Sequence, residues 1–212
     1  MESPVAPETE AMKRGQDEPA RVTVQALTAE LLDAHAVAIT RAYSDGAGAK
    51  YCCLCCSLAE DHSGKGLIKF MGDNPSRLPS WGIAIDTDGQ TLGYVAMTLH
   101  PMQPMDGLHT TMPGEAYIDQ VMATSAARGK GVCTELLEWA ESQAREQKCT
   151  VLALEVLNGN PGKKLYERFG FEVKPAGVCT RLCISPIFIC CFASLPYGCP
   201  HWGSVLMTKS LA

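Results

Sequence analysis

The chain lacks the features of a secreted, a membrane-spanning or a broadly DNA-binding protein. Its first twenty residues contain no apolar run and include five acidic residues, which argues against a secretory signal and against a transit peptide. We therefore expect a disordered tail at residues 1–20 and a cytoplasmic protein. Acidic residues outnumber basic ones by 23 to 18, which argues against a nucleic-acid partner bound through a broad basic surface.

One long stretch near the end of the chain has no Asp, Glu, Lys or Arg at all, from Leu182 to Met207. Three prolines and two glycines interrupt it, so we expect no membrane partner and no membrane span there. We interpret residues 176–203 as a Cys-rich insertion before the last strand. The alternative is a translated non-coding segment, which a transcript read across this region would reveal.

The eleven cysteines do not form a recognisable metal-binding or disulfide pattern. The run Cys52-Cys53-Leu54-Cys55-Cys56 contains two overlapping C-x2-C spacings, but no second C-x2-C pair follows it. Disulfides are rare in reducing compartments, and free cysteine behaves as a small hydrophobic residue. We therefore expect buried or half-buried thiols and no metal, with a zinc site as the weaker alternative.

The periodicity of the remaining chain predicts one α/β domain over residues 21–212. Thr28 is a candidate helix cap, Thr87-Asp88-Gly89-Gln90 predicts a hairpin, and Asp45–Ala49 predicts a break. Strands are expected at Val22–Ala26, Trp81–Ile85, Leu92–Leu99, Glu115–Ala123, Thr150–Val156, Phe171–Val173 and Ser204–Ser210. Helices are expected from Thr28, at Tyr51–Leu58, at Arg128–Gln147 and at Pro161–Phe169, with a loop at Gly64–Pro79.

A glycine-rich segment, Ala127-Arg128-Gly129-Lys130-Gly131-Val132-Cys133-Thr134, lies between a predicted strand and a long predicted helix. Unpaired N–H groups in the first turn of a helix, together with the helix dipole, bind anions, and glycine lets a ligand approach the backbone closely. The segment therefore predicts a pyrophosphate site. It does not match a Walker A loop, because Gly131 follows Lys130, and it matches the dinucleotide fingerprint only in part.

The same segment resembles motif A of the GNAT superfamily, [QR]-x-x-G-x-[GA]. Arg128 takes the first place and Gly131 the fourth, whereas Cys133 stands where Gly or Ala is usual. A helix N-terminus lowers the pKa of a thiol, so we expect a lowered pKa for Cys133. The family transfers its acyl group directly, however, and we interpret Cys133 as a spacer.

A second match follows at the expected separation. The segment from Asn160 to Phe171, N-P-G-K-K-L-Y-E-R-F-G-F, resembles the family's N-P-A-x-x-L-Y-E-x-x-G-F, with Gly162 in place of the usual Ala. The resemblance is specific over Glu115 to Val173. It implies a GNAT-like α/β fold, which is a mixed, mostly antiparallel sheet of six to seven strands with a central splay, flanked by about four helices.

The resemblance also implies how the co-substrate acetyl-CoA is bound. The backbone of Val121, Met122 and Ala123 would pair with the pantetheine arm, and Asn160 would make a second contact. The pyrophosphate would meet the N–H groups of seven consecutive residues: Arg128, Gly129, Lys130, Gly131, Val132, Cys133 and Thr134.

Two catalytic roles follow from the resemblance. Tyr166 would protonate the departing CoA thiolate, or would alternatively only pack beneath the cofactor. Asp119 would accept the proton of the attacking amine, and Glu115 is the second candidate for this role. Alternatively, the carboxylate would only bind the substrate ammonium. Strand alternation is expected to place Glu115, Tyr117, Asp119 and Val121 on one face.

The resulting hypothesis is an acetyl-CoA-dependent N-acetyltransferase that acts on a primary amine by direct attack in a ternary complex. The acceptor would be a small-molecule amine or a peptide amine. The end of the chain has a faint similarity to the ends of small-molecule acetyltransferases. The alternative is a non-catalytic acyl-CoA-binding or regulatory module on the same fold. Whether the protein is a monomer or a homodimer stays open.

Overall fold

The computed structural model describes residues 22–47, 63–105, 109–157, 160–174 and 204–211. The expected tail (residues 1–20), the helix expected at Tyr51–Leu58 and the insertion at 176–203 lie outside these ranges. The described strands are β1 (Thr23–Ala26), β2 (Trp81–Ile85), β3 (Thr91–Leu99), β4 (Glu115–Ala123), β5 (Val151–Leu157), β6 (Glu172–Val173) and β7 (Ser204–Ser210). The described α-helices are α1 (Ala29–Ala47), α2 (Lys65–Asp73), α3 (Val132–Glu146) and α4 (Gly162–Arg168), and 3-10 helices span Pro75–Ser80 and Ser125–Ala127.

The seven described strands form one mixed sheet in the order β1-β2-β3-β4-β5-β7-β6. Every neighbouring pair is antiparallel except β4 and β5, which run parallel and are joined through α3. The final strand β7 lies between β5 and β6. This architecture confirms the expected mixed, mostly antiparallel GNAT-like sheet.

The two central strands separate halfway along their length. Strands β4 and β5 pair from Glu115 opposite Val151 to Ile118 opposite Leu154. Beyond that point β4 continues to Ala123, while the end of β5 pairs only with β7. The expected central splay is therefore present, and it opens a wedge-shaped gap in the sheet toward the N-terminus of α3.

Each face of the sheet carries its own hydrophobic cluster. On one face α3 packs through a stripe of fully buried side chains that includes Val132, Leu136 and Leu137. On the other face α1 and α2 pack through residues such as Ile39 and Met71. The N-terminus of α3 and the C-terminus of α1 consequently lie near the same end of β4, on opposite faces of the sheet.

The segment that we expected to be a loop, Gly64–Pro79, instead forms α2 and a 3-10 helix. Gly64 precedes α2 with φ 72°, whereas two further glycines, Gly66 and Gly72, lie inside the helix. Inside α2, Leu67 and Met71 are four residues apart and both buried. This spacing is the helical signal that the Gly- and Pro-rich composition obscured.

Two helix boundaries also differ from expectation. Helix α1 continues to Ala47, past the break expected at Asp45, and α3 begins at Val132 and not at Arg128. The cap of α1 is confirmed, because the Thr28 hydroxyl accepts the N–H of Leu31 at 3.2 Å. None of the helices within the described ranges is long and apolar enough to cross a membrane.

Candidate active site

A tight turn with two left-handed glycines connects the splayed strand to α3. Gly129 and Gly131 have φ angles of 76° and 82°, and Gly131 is the residue that precedes the first turn of α3. L-residues adopt these angles only with strain, so the turn requires glycine at both positions. A Cβ at either position would meet no atom within 4 Å, so the space beside the turn is open.

This turn leaves a group of adjacent backbone donors unused. Three of the seven N–H groups that we expected to bind pyrophosphate donate within the chain: those of Arg128, Lys130 and Thr134, to the carbonyls of Ser125, Ala127 and Gly131. In the described part of the chain, the N–H groups of Gly129, Gly131, Val132 and Cys133 have no acceptor. Four consecutive or nearly consecutive donors at the positive end of a helix dipole form an anion site.

The turn is fixed to the end of α1 by Asp45, a residue that the sequence analysis missed. The Asp45 carboxylate accepts the N–H of Ser125 at 2.8 Å, and its carbonyl accepts a guanidinium N–H of Arg128 at 2.6 Å. The hydrogen bond from Ser125 holds the pKa of Asp45 below its usual value. Because the last carbonyls of a helix lack partners within the helix, the Arg128 side chain satisfies one of them. No sequence spacing indicated this contact.

A β-bulge lies in β4 where the splay begins. The register with β3 steps from Ile118 directly to Gln120 and passes over Asp119. An extra residue of this kind bends a strand and increases its twist. The bulge therefore coincides with the point at which β4 leaves β5.

The bulge reverses the side chains that follow it. Val121 packs in the cluster beneath α3, whereas Met122 packs in the cluster beneath α1. The expectation that Val121 shares a face with Glu115, Tyr117 and Asp119 is therefore wrong. Alternation holds only in an uninterrupted strand, and the extra residue shifts it by one.

Asp119 is held in place by two donors. The Thr98 hydroxyl donates to one carboxylate oxygen at 2.6 Å, and the N–H of Met105 donates to the other at 2.7 Å. Arg77 in turn donates to the Thr98 hydroxyl oxygen at 3.1 Å, which directs the Thr98 proton toward Asp119. Asp119 thus presents a fixed carboxylate next to Ile118, where the pairing of β4 with β5 ends.

Glu115 occupies a different environment from Asp119. It is buried, accepts the N–H of Met112 at 2.7 Å and lies 2.8 Å from the Nε2 atom of His109. It pairs with β5 in the closed part of the sheet, four residues or roughly 13 Å along the strand from Asp119. The structure therefore does not bring these two candidate bases together.

Tyr166 is available as a proton donor. It lies on α4, half-buried, with its ring in edge contact with Phe171 at 6.1 Å. Burial raises the pKa of the Tyr166 hydroxyl, and the nearby Cys133 raises it further. The phenol therefore carries its proton at neutral pH, and the raised pKa makes it a weaker acid than an ordinary tyrosine.

Cys133 does not have the lowered pKa that its place at the start of α3 led us to expect. Burial raises the pKa of the Cys133 thiol, and the positive charge of Arg128 opposes this effect without overcoming it. A thiol that stays protonated is a poor nucleophile. This finding agrees with the interpretation of Cys133 as a spacer.

Asn160, which we expected to contact the cofactor, makes a structural contact within the chain. Its side-chain oxygen accepts the N–H of Gly162 at 2.8 Å and so fixes the start of α4. A Cβ at position 162 would lie 3.0 Å from that oxygen. Glycine therefore fits more easily here than the alanine that the family motif usually has.

Among the residues that the structure describes, no three His, Cys, Asp or Glu side chains are grouped as metal ligands. All of the clustered cysteines that kept zinc open, at positions 52–56 and 179–199, lie outside the described ranges.

Comparison with known proteins identifies the family of the chain. The family model described as Acetyltransferase (GNAT) family matches residues 59–171, which is more than half of the chain. The chain belongs to the GNAT family. No curated protein sequence matches this GNAT chain significantly.

Solved structures of GNAT proteins share its fold. The PaiA N-acetyltransferase from Thermoplasma acidophilum, solved in complex with coenzyme A, has a TM-score of 0.58 at 15% identity and covers 90% of this chain and 99% of its own. A putative phosphinothricin N-acetyltransferase has a TM-score of 0.57 at 17% identity and covers 91% and 99%. A putative GNAT acetyltransferase from Desulfovibrio desulfuricans has a TM-score of 0.58 at 12% identity and covers 91% and 100%. At these identities the likeness shows the fold alone.

Family membership defines the general chemistry, which is acetyltransferase-type acyl transfer with a CoA-based co-substrate. The structure offers two features that fit such a co-substrate. One is the group of unused N–H donors at the start of α3, which suits a pyrophosphate. The other is the splay, which exposes one backbone edge of β4 to an extended arm.

Proposed function

We propose that the chain transfers the acetyl group of acetyl-CoA to a primary amine by direct attack in a ternary complex. The observation that carries this proposal is the coincidence of an open splay beyond Ile118 with unused N–H donors at the adjoining helix N-terminus. The thioester of acetyl-CoA supplies a carbonyl carbon that a neutral amine can attack.

The backbone would do most of the binding. The N–H groups of Gly129, Gly131, Val132 and Cys133 would hold the pyrophosphate, since they lie together at the positive end of α3. The open edge of β4, from Val121 through Met122 to Ala123, would pair with the pantetheine arm as a neighbouring strand would. The side-chain amide of Asn160 would add a second contact.

Three groups would serve the chemical step. An N–H of the open β4 edge would donate to the thioester oxygen as negative charge develops there. Asp119 would accept the proton that the amine nitrogen loses as its bond to the carbonyl carbon forms. Tyr166 would give its proton to the sulfur as the carbon–sulfur bond breaks, which is general acid catalysis by a protonated phenol.

Thermal unfolding with and without acetyl-CoA tests the binding half of the proposal. Acetyl-CoA should raise the melting temperature, and Gly131→Glu should abolish the rise by placing a negative side chain among the anion donors. An absence of any shift with a series of acyl-CoA esters would refute the proposal.

CoA release in the presence of polyamines, amino acids, aminoglycosides and peptides tests the catalytic half. Turnover that falls sharply in Tyr166→Phe supports acetyl transfer with Tyr166 as the acid. Acyl-CoA binding without turnover of any acceptor, in the wild type and in Tyr166→Phe alike, would instead favour a non-catalytic binding module.

A further inference from the structure

The proposed function places the co-substrate at the anion donors of α3 and so leaves the opposite face of the sheet for the acceptor. The anion donors belong to α3, which covers one face. The pairing of β4 with β5 ends at Ile118, and the face opposite α3 is the one on which α1 packs. On that face, which we call the acceptor face, the polar side chains beside the splay belong to the β-bulge in β4.

The bulge presents two adjacent polar side chains on this acceptor face. Asp119 reaches Thr98, and Gln120 reaches Tyr94, and both of these partners lie on the face of β3 that packs with α1. Neighbouring residues of a regular strand would point to opposite faces. The two side chains start from Cα atoms about 3.8 Å apart, so one small molecule can contact both.

The Gln120 amide is oriented by a buried tyrosine. The Tyr94 hydroxyl donates to the side-chain oxygen of Gln120 at 2.6 Å, and Tyr94 is only 2% exposed. Burial, with a further contribution from Tyr43, raises the pKa of Tyr94 well above its usual value, so its hydroxyl remains a donor. With the amide oxygen occupied, the NH2 group points away from Tyr94. Within the described residues this NH2 group has no acceptor.

The pair therefore presents complementary chemistry. A fixed carboxylate attracts an ammonium group, and an unpaired amide NH2 that is partly withdrawn from water favours a ligand oxygen. A molecule with an amine and an oxygen acceptor a few bonds apart would satisfy both groups, whereas a plain alkylamine would leave the NH2 unpaired.

Building on the proposed acetyl transfer, we propose that Gln120 selects acceptor amines that carry a hydrogen-bond-accepting oxygen close to the amine nitrogen. Amino-acid amides and peptide N-termini have this chemistry, and simple alkylamines lack it. Gln120 is then a specificity-determining residue, and Tyr94 is the positioning residue that sets the direction of its amide.

Matched acceptor pairs test the inference. The pairs are leucinamide with 3-methylbutylamine and phenylalaninamide with 2-phenylethylamine, in which the two members differ by the carboxamide. The measured quantity is the ratio of kcat/KM for the amide to that for the amine. We expect a ratio of about ten or more in the wild type, since a neutral hydrogen bond contributes up to roughly a factor of ten and the carboxamide also lowers the basicity of the amine, which raises its neutral fraction. The change of the ratio in the variants isolates the hydrogen bond.

Two variants of Gln120 separate the donor from the charge. Gln120→Glu keeps an oxygen that accepts from Tyr94 but replaces the NH2 donor with a second acceptor, so the ratio should fall about tenfold. Gln120→Met removes the donor without adding charge and should lower the ratio in the same direction. Gln25→Glu, at an exposed position on β1, introduces the same charge change and should leave the ratio unaltered.

The outcomes separate this inference from the proposed function. A wild-type ratio near one, a ratio unchanged in both Gln120 variants, or turnover of neither member of the pairs overturns the inference. If acetyl-CoA also fails to raise the melting temperature and no amine of the wider panel releases CoA, the proposed function fails as well. Tyr94→Phe provides a further check, because an unanchored Gln120 amide should lower the ratio while leaving the acetyl-CoA thermal shift in place.

Discussion

Two glycines with nearly the same conformation allow stability and cofactor binding to be separated. Gly129, in the turn before α3, has φ 76°, and Gly89, in the hairpin between β2 and β3, has φ 77°. A Cβ at either position would meet no atom within 4 Å. Gly129→Ala and Gly89→Ala therefore introduce the same backbone strain without any steric clash.

The expected stability loss is the same for both variants. An L-residue in the left-handed region costs about 1–2 kcal/mol, and the reduced freedom of the unfolded chain offsets about 0.4–1 kcal/mol of this. The net loss is about 1 kcal/mol, which corresponds to a decrease of roughly 2–4 °C in melting temperature for a chain of this size. Denaturant unfolding without ligand would measure it.

Acetyl-CoA affinity should distinguish the two variants. Relief of the strain at Gly129 requires rotation of the flanking peptide groups, which would turn the N–H group of Gly129 out of alignment and displace the rest of the turn that presents the N–H group of Gly131. We expect Gly129→Ala to weaken acetyl-CoA binding by about tenfold or more, or roughly 1.4 kcal/mol, and Gly89→Ala to leave it unaltered. Calorimetric titration would measure both. Equal affinities in the two variants would contradict the assignment of this turn as the pyrophosphate site.

Three further perturbations test the proposed roles. Tyr166→Phe should lower kcat by about 100-fold without changing acetyl-CoA affinity, as measured by CoA release and by calorimetry. An unchanged kcat would mean that the ring only packs beneath the cofactor. Asp119→Asn should lower kcat/KM and remove its dependence on an acidic group in the pH–rate profile; an unchanged profile would exclude Asp119 as the base. Lys209→Met should destabilise the fold by about 1 kcal/mol at pH 7, because it removes an ion pair with Glu141. Burial acts to raise the pKa of Glu141, but hydrogen bonds from Lys209 and Arg145 outweigh this effect and hold the pKa below 4.5. A carboxyl whose pKa is lower in the folded than in the unfolded protein stabilises the fold above the unfolded pKa, and this stabilisation is lost as the pH falls through the folded pKa. The difference in unfolding free energy between wild type and Lys209→Met should therefore shrink below pH 4.5 in urea titrations.

Elements with a strong local signal could be predicted from the sequence. The hairpin between β2 and β3, the stripe of α3 and the cap at Thr28 each depend on residues within a few positions of one another. The family motifs supplied the order of the sheet and its splay. Helix α2 was missed because glycines before it and inside it, Gly64, Gly66 and Gly72, dominate the composition of a short segment.

Contacts between distant segments could not be predicted in this way. Asp45 and Arg128 are 83 residues apart, and Arg77 and Thr98 are 21 apart. Neither pair has a characteristic spacing, because the contacts arise only when α1 and the 3-10 helix pack on the sheet. The pKa of Cys133 was misjudged for the same reason: the position at the start of a helix is a local feature, whereas the burial that raises this pKa depends on the tertiary fold.

The bulge in β4 is an intermediate case, because the sequence contains its signal. Regular alternation from Ala116 would place Gln120 in the apolar cluster beneath α3 and Val121 on the acceptor face. The sequence instead has two polar residues in succession, Asp119 and Gln120, between Ile118 and Val121. One extra residue resolves the conflict, since Ile118 and Val121 both pack under α3 while the polar pair lies on the face that packs with α1. The same extra residue bends β4 where it parts from β5, so a single irregularity opens the splay and supplies the polar side chains beside it.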